Sequence, residues 1–207
     1  MTKRFLLIFL LIPYCSFAQF MVGVSGGPEL GKINTASSYR TGYDLGVNAG
    51  KFINYNLWLS AGLTYSKNSY HTAGRIPTTY RYDYLELPLL VHFRTGDDAS
   101  QRTTSRRNSY FGFSAFGGVV PATIYDLKFS NYAGNQTIEK SALKQMGYTP
   151  IVNLTAGAGI YYQYSESMFF TVEPTIKYSL TQQPKNSGTH IYTVGLNLNI
   201  WYQFGVF

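Results

Sequence analysis

The stretch Tyr192-Thr-Val-Gly-Leu-Asn-Leu-Asn-Ile-Trp-Tyr-Gln-Phe-Gly-Val206 decides the fold. Tyr192, Val194, Leu196, Leu198, Ile200, Tyr202, Phe204 and Val206 share one parity, while Thr193, Gly195, Asn197, Asn199 and Gln203 hold the other. Successive side chains of a β-strand point to opposite faces, so this period of two gives one greasy face and one polar face. The pattern recurs in Val152, Leu154, Ala156, Ala158, Ile160, Tyr162 and Tyr164, and again in Met168, Phe170, Val172, Pro174, Ile176, Tyr178 and Leu180. Each strand runs for about 14 residues. Soluble sheets use about 5 to 6 residues per strand, whereas a tilted strand needs about 9 to 11 to cross the hydrocarbon of a bilayer.

Working outward, the same alternation marks Tyr43, Leu45, Val47, Ala49 and Ile53, then Leu57, Leu59, Ala61, Leu63 and Tyr65, then Leu85, Leu87, Leu89, Val91 and Phe93. A first strand over residues 20–27 and a fifth over 110–122 complete a set of eight. An even count suits a single-chain antiparallel transmembrane barrel. Short turns are expected at residues 54–56 and 165–167 on the periplasmic side, with longer outer loops at 29–41, 71–79, 125–148 and 182–189. Residues 95–108 break this rule, being long, charged and on the periplasmic side. Within 125–148, Glu139-Lys-Ser-Ala-Leu-Lys-Gln-Met146 before Gly147 reads as a short surface helix with a glycine stop.

Composition agrees. Of 207 residues, 35 are aromatic and only 13% are charged, about half the share of a soluble domain. The 45% hydrophobic content excludes a disordered chain. Lys3 and Arg4, the apolar run 5–12 and Ser16-Phe17-Ala18 before Gln19 have the form of a secretory signal peptide, residues 1–18. Tyr14 before Cys15 is too bulky for a lipoprotein signal. The expected domain is then residues 19–207, with 15 basic and 10 acidic residues and no cysteine. A soluble lipocalin-like barrel is the alternative fold. It would need a charged outer face, and the polar parity here is Gly, Ser, Thr and Asn, small residues that suit the crowded interior of eight strands. Tyr43, Tyr162, Tyr164, Tyr192 and Tyr202 lie where membrane-interface girdles are expected.

Tyr84-Leu-Glu-Leu-Pro-Leu-Leu-Val-His-Phe93 and Phe111-Gly-Phe-Ser-Ala-Phe-Gly-Gly-Val-Val-Pro121 resemble the "YLEIPLL" strand and the glycine-rich strand after it in the Bacteroidetes outer-membrane β-barrel family that includes PorT. The Ser-Phe-Ala-Gln cleavage site is similar too. The resemblance implies a small outer-membrane barrel in the cell envelope, with membership of a secretion or gliding assembly as one expectation, and implies no shared reaction. The terminal Phe207 departs in parity from Phe204 and Val206.

Charges on inward parities must be paired or hydrated. Glu86, Glu173 and Lys177 are therefore expected to form a structural network in the lumen, with Asp44, Arg81 and Asp83 as possible members nearer its outer end. His92 points inward as a polar filler, and His71 and His190 sit near the outer rim; no serine and carboxylate are fixed beside them as a hydrolase requires. Gly26-Gly-Pro-Glu-Leu-Gly-Lys32 mimics phosphate-loop spacing, but Ile33 replaces the Ser/Thr that would meet magnesium, so it reads as a strand end and a turn. Three scattered histidines imply no metal, and no cofactor is indicated. Arg102, Arg106 and Arg107 form a basic turn that could face an acidic partner. The expected partners are outer-membrane lipids, lipopolysaccharide and other envelope proteins, and not nucleic acid. The reading is a non-enzymatic structural or accessory barrel, with a lipid-modifying enzyme or surface-ligand-binding barrel as the rival; a porin is too wide for eight strands.

Overall fold

The computed structural model describes residues 20–34, 38–54, 56–72, 78–95, 110–131, 134–138, 140–146, 148, 150–165, 167–182 and 187–204. The expected signal peptide, Phe207 and the arginines 102, 106 and 107 lie outside them. Among the described residues there are ten strands: β1 (Phe20–Ile33), β2 (Arg40–Asn54), β3 (Leu57–Thr72), β4 (Thr78–Glu86), β5 (Leu89–Arg94), β6 (Tyr110–Asn131), β7 (Gly134–Ile138), β8 (Ile151–Ser165), β9 (Met168–Ser179) and β10 (Ile191–Phe204), with one helix, α1 (Lys140–Gln145). All the pairings are antiparallel. β1 pairs with both β2 and β10, so the sheet closes on itself and its barrel wall has no open edge.

The wall has eight staves, because β4 and β5 together fill one place between β3 and β6. Proline has no N–H to donate, and Pro88 marks the break. The chain stays in line through Leu87 N–H donating to the Pro121 carbonyl and Gly62 N–H donating to the Pro88 carbonyl, 2.8 and 3.1 Å. Side-chain parity survives the break: Leu85, Leu87, Leu89, Val91 and Phe93 all face outward and exposed.

Two boundaries differ from the sequence reading. β1 runs on to Ile33, and the following connection is confined to residues 34–39. Its glycines are there for close approach rather than for turning: a Cβ on Gly27 would strike the Leu196 carbonyl, and one on Gly31 would come within 2.6 Å of the Tyr70 ring. β6 also continues nine residues past Ala122 and returns as the hairpin strand β7. The expected surface helix is present over Lys140–Gln145, but it turns inward, burying Leu143 completely.

The outward parity of the staves is apolar. Leu45, Val47, Leu59, Leu63, Phe113, Ile160, Val172, Ile176, Leu198 and Ile200 are all exposed. The nine residues from Leu57 to Tyr65, at a ~3.3 Å rise and ~40° tilt, span roughly 20 to 25 Å, the height of the apolar band on an outer-membrane barrel.

Candidate functional site

Inside the barrel the inward residues form three layers. At the end where β1 begins, β10 ends and the short turns lie, Met21 and the aromatic Phe52, Trp58, Tyr161, Phe169 and Trp201 make a buried cluster. The Arg94 guanidinium sits within it, 4.9 Å from the Phe52 ring centroid and 5.4 Å from that of Tyr161, and donates to Gln163 Oε1 at 3.3 Å. Above this cluster, His92 stacks on Trp58 at 4.7 Å, and its Nε2 lies 2.8 Å from Ser60 Oγ.

The middle layer is charged. Lys177 Nζ from β9 lies 2.6 Å from Glu29 of β1, 3.1 Å from Glu86 of β4 and 3.5 Å from Asp44 of β2. Glu29 Oε2 also accepts from Ser66 Oγ and Asn68 Nδ2 of β3 at 3.0 and 2.8 Å. One ammonium thus ties four staves together across the lumen, facing three carboxylates. Glu173, expected in the same network, is instead caged separately. It accepts from Ser114 at 2.6 Å, Thr171 at 3.0 Å and Asn199 at 3.1 Å. Its position four residues before Lys177 places it about two inward steps nearer the turn end, beyond the reach of the ammonium. Glu29 escaped the sequence reading because Gly26 to Lys32 looked like a turn; its alternation with Ser25 and Gly27 on one parity was the available signal.

Arg81 and Asp83 do not join the network. Even parity on β4 is inward, as Tyr82, Tyr84 and Glu86 show by their burial, so Arg81 and Asp83 stand on the outside. Asp83 accepts there from the Tyr65 hydroxyl at 2.9 Å.

The third layer closes the other end. Tyr70, Tyr82, Tyr84, Ile124, Leu127, Ile151 and Ile191 pack around Leu143 of α1. Between the two apolar layers the described residues line two small chambers. One of about 40 Å³ is lined by Asp44, Glu86, His92, Lys177, Asn199 and Trp201, and another of about 20 Å³ by Asn68, Tyr70, Tyr84 and Lys177. A water needs ~10–15 Å³ of such space, so these hold a few molecules at most.

The histidines stay apart. His71 Nδ1 is 3.2 Å from Thr79 Oγ1, and His190 Nδ1 is 2.9 Å from the Ser179 carbonyl, with its ring stacked on Tyr178. Among the described residues no carboxylate hydrogen-bonds His92, and no group of three or more His, Cys, Asp or Glu could hold a metal ion.

A closed antiparallel ring with its apolar parity outside and its polar parity inside is a membrane barrel. The family model described as "Outer membrane protein beta-barrel domain" matches residues 17–183, well over half of the chain. The chain belongs to the outer-membrane protein β-barrel family. It resides in the bacterial outer membrane, its greasy parity against lipid. No curated protein matches it significantly in sequence. Neisserial surface protein A is similar in structure with a TM-score of 0.53 and 10% identity, over 89% of this chain and 97% of that one. OprG from Pseudomonas aeruginosa follows at 0.49 and 13%, covering 91% and 97%, and the outer membrane enzyme PagL at 0.45 and 14%, covering 86% and 97%. These likenesses concern the fold of this outer-membrane barrel and not its task.

Proposed function

We propose that this barrel is a non-enzymatic scaffold, a structural or accessory subunit of a cell-envelope complex of the PorT-like kind found in Bacteroidetes, exported by a signal peptide over residues 1–18. The observation that carries this reading is the sealed lumen. Among the described residues apolar clusters occupy both ends and the Lys177 network crosses the middle, which supports a task other than solute passage. Catalysis at a lipid is disfavoured by placement: the Ser60–His92 contact lies inside the wall against Trp58, while a lipid substrate arrives at the outer face. What remains for such a barrel is to be held and to hold. Lipid and lipopolysaccharide surround it, and protein partners meet it from the periplasm through the turn carrying Arg102, Arg106 and Arg107, or from outside through the β6–β7 hairpin and α1.

The test is a mild-detergent purification of the tagged protein from native outer membranes, with mass spectrometry of what co-purifies. A partner at fixed stoichiometry, lost when the three arginines become glutamines, supports the accessory role. A barrel that purifies alone, in a strain whose deletion alters lipid A, overturns it in favour of a lipid-modifying enzyme.

A further inference from the structure

The exterior of the barrel is uneven where the apolar band ends on the α1 side. On β3, β4 and β6 the outward positions pass from leucine or tyrosine to charge within a few residues: Leu63, Tyr65 and Lys67 on β3, then Leu85, Asp83 and Arg81 on β4. On β6, Tyr125 bulges out where the β4 register shifts, and Asp126 and Lys128 follow on the outward parity. The register sets Lys67 beside Asp83 and Asp83 beside Asp126, and one step further out it sets Arg81 beside Lys128. Three cations therefore share one patch on three adjacent staves. On β9 and β10 the corresponding outward residues are Tyr178 and Tyr192, with ring centroids 5.0 Å apart, and carry no charge.

One oxygen of each carboxylate is engaged, while Asp83 Oδ1 makes no hydrogen bond among the described residues. Asp126 holds Lys128 at 2.9 Å, and Asp83 takes the Tyr65 hydroxyl. Among the described residues neither Lys67 nor Arg81 makes an ion pair. Tyr43, Tyr65 and Tyr125 fix the depth of the patch, since tyrosines on the lipid side of a barrel settle at the membrane–water interface. Cations in a tyrosine girdle on the side away from the short turns meet the headgroups of the outer leaflet. In a bacterial outer membrane that leaflet is built from a phosphorylated glycolipid.

The geometry points to a docking site on β3, β4 and β6 for the phosphate groups of the outer-leaflet glycolipid. Arg81 offers a planar fork suited to bidentate phosphate contact; Lys67 flanks it as an unpaired point charge, and Lys128 as one already held by Asp126. The site narrows the contact with lipopolysaccharide proposed above to named residues. It depends on the outer-membrane location and on the α1 end of the barrel facing the outer leaflet, and stands whether or not the barrel has protein partners.

The test uses the full-length barrel purified from native outer membranes in mild detergent. Mass spectrometry then counts retained glycolipid and phospholipid per barrel for the wild type, the triple variant K67Q/R81Q/K128Q, Arg81→Lys, and Lys51→Gln. Lys51 is an outward cation near the opposite end of β2, beside Phe20 and Leu59. Each basic side chain near an anionic surface contributes about a fivefold change in binding, so the triple variant is expected to retain at least about tenfold less glycolipid. Arg81→Lys keeps the charge without the fork and should fall between the two. Lys51→Gln should retain the wild-type amount. Heat-modifiable electrophoretic mobility checks that each variant is folded, and Arg81→Gln alone serves if the triple variant is not. Equal glycolipid in the wild type and the folded charge variants overturns the site. So does an equal loss in Lys51→Gln, or phospholipid as the retained phosphate carrier. Loss of glycolipid with a protein partner still bound separates this test from that of the accessory role.

Discussion

Replacing Lys177 with methionine removes one charge and leaves Glu29, Glu86 and Asp44 facing one another inside the barrel. At an effective dielectric of about 20, an ammonium and a carboxylate about 3 Å apart attract by roughly 5 kcal/mol, and Lys177 has three such neighbours at 2.6, 3.1 and 3.5 Å. Desolvation offsets much of that attraction in the intact network. Removing one partner leaves the desolvation cost without the attraction, and the usual net loss is about 3–5 kcal/mol. With three carboxylates stranded, Lys177→Met should lie at the upper end of that range. Asp44→Asn should behave oppositely: it deletes the longest of the three contacts and relieves repulsion between carboxylates, so its effect should stay within about 1 kcal/mol of zero. Equilibrium urea unfolding in lipid vesicles, followed by tryptophan fluorescence, reads both. The two tryptophans, Trp58 and Trp201, are buried in the adjoining aromatic layer. A Lys177→Met barrel as stable as the wild type, or an Asp44→Asn barrel as unstable as Lys177→Met, would refute the idea that one ammonium organises the lumen.

Further outcomes follow from the same structure. Glu173→Gln substitutes an amide where Ser114, Thr171 and Asn199 all donate, and should cost about 1–3 kcal/mol in the same assay. Gly27→Ala drives a methyl group into the Leu196 backbone carbonyl, and should cost about 1–3 kcal/mol if β1 is a wall strand there, but nothing if residues 26–32 were a surface turn. Leu143→Ala empties the centre of the outer cluster at a cost of about 2–5 kcal/mol. Because α1 lies beyond the wall, hydrogen exchange should show the loss at residues 140–146 with the barrel strands still protected.

The wall was legible in the sequence because a strand with lipid on one side and a packed lumen on the other has no freedom in its period. The alternations of residues 152–164, 168–180 and 192–204 place the outward faces of β8, β9 and β10 where the structure has them. The parity of Leu85 to Phe93 survives even the Pro88 break. Legibility failed where a residue had two physical uses. Glycine serves turns and close approaches alike, and reading Gly26 to Lys32 as a turn concealed Glu29. Placing Arg81 and Asp83 in the lumen network fails on parity: each stands an odd number of residues from the buried Glu86, which puts it on the opposite face of β4. Pairing across the lumen depends on stagger, which no single strand encodes; the inward parity of Glu86, Glu173 and Lys177 is legible in the sequence, but not that Lys177 meets Glu86 while hydroxyls and an amide cage Glu173 apart.

The central claim is that this barrel is a sealed scaffold rather than a conduit, and planar-bilayer recording of the purified full-length protein tests it most directly. The account predicts no stepwise conductance above the bare bilayer, in the wild type and equally in Leu143→Ala, where the Trp58 and Trp201 layer still closes the lumen. Discrete openings of reproducible size in the wild type would contradict it.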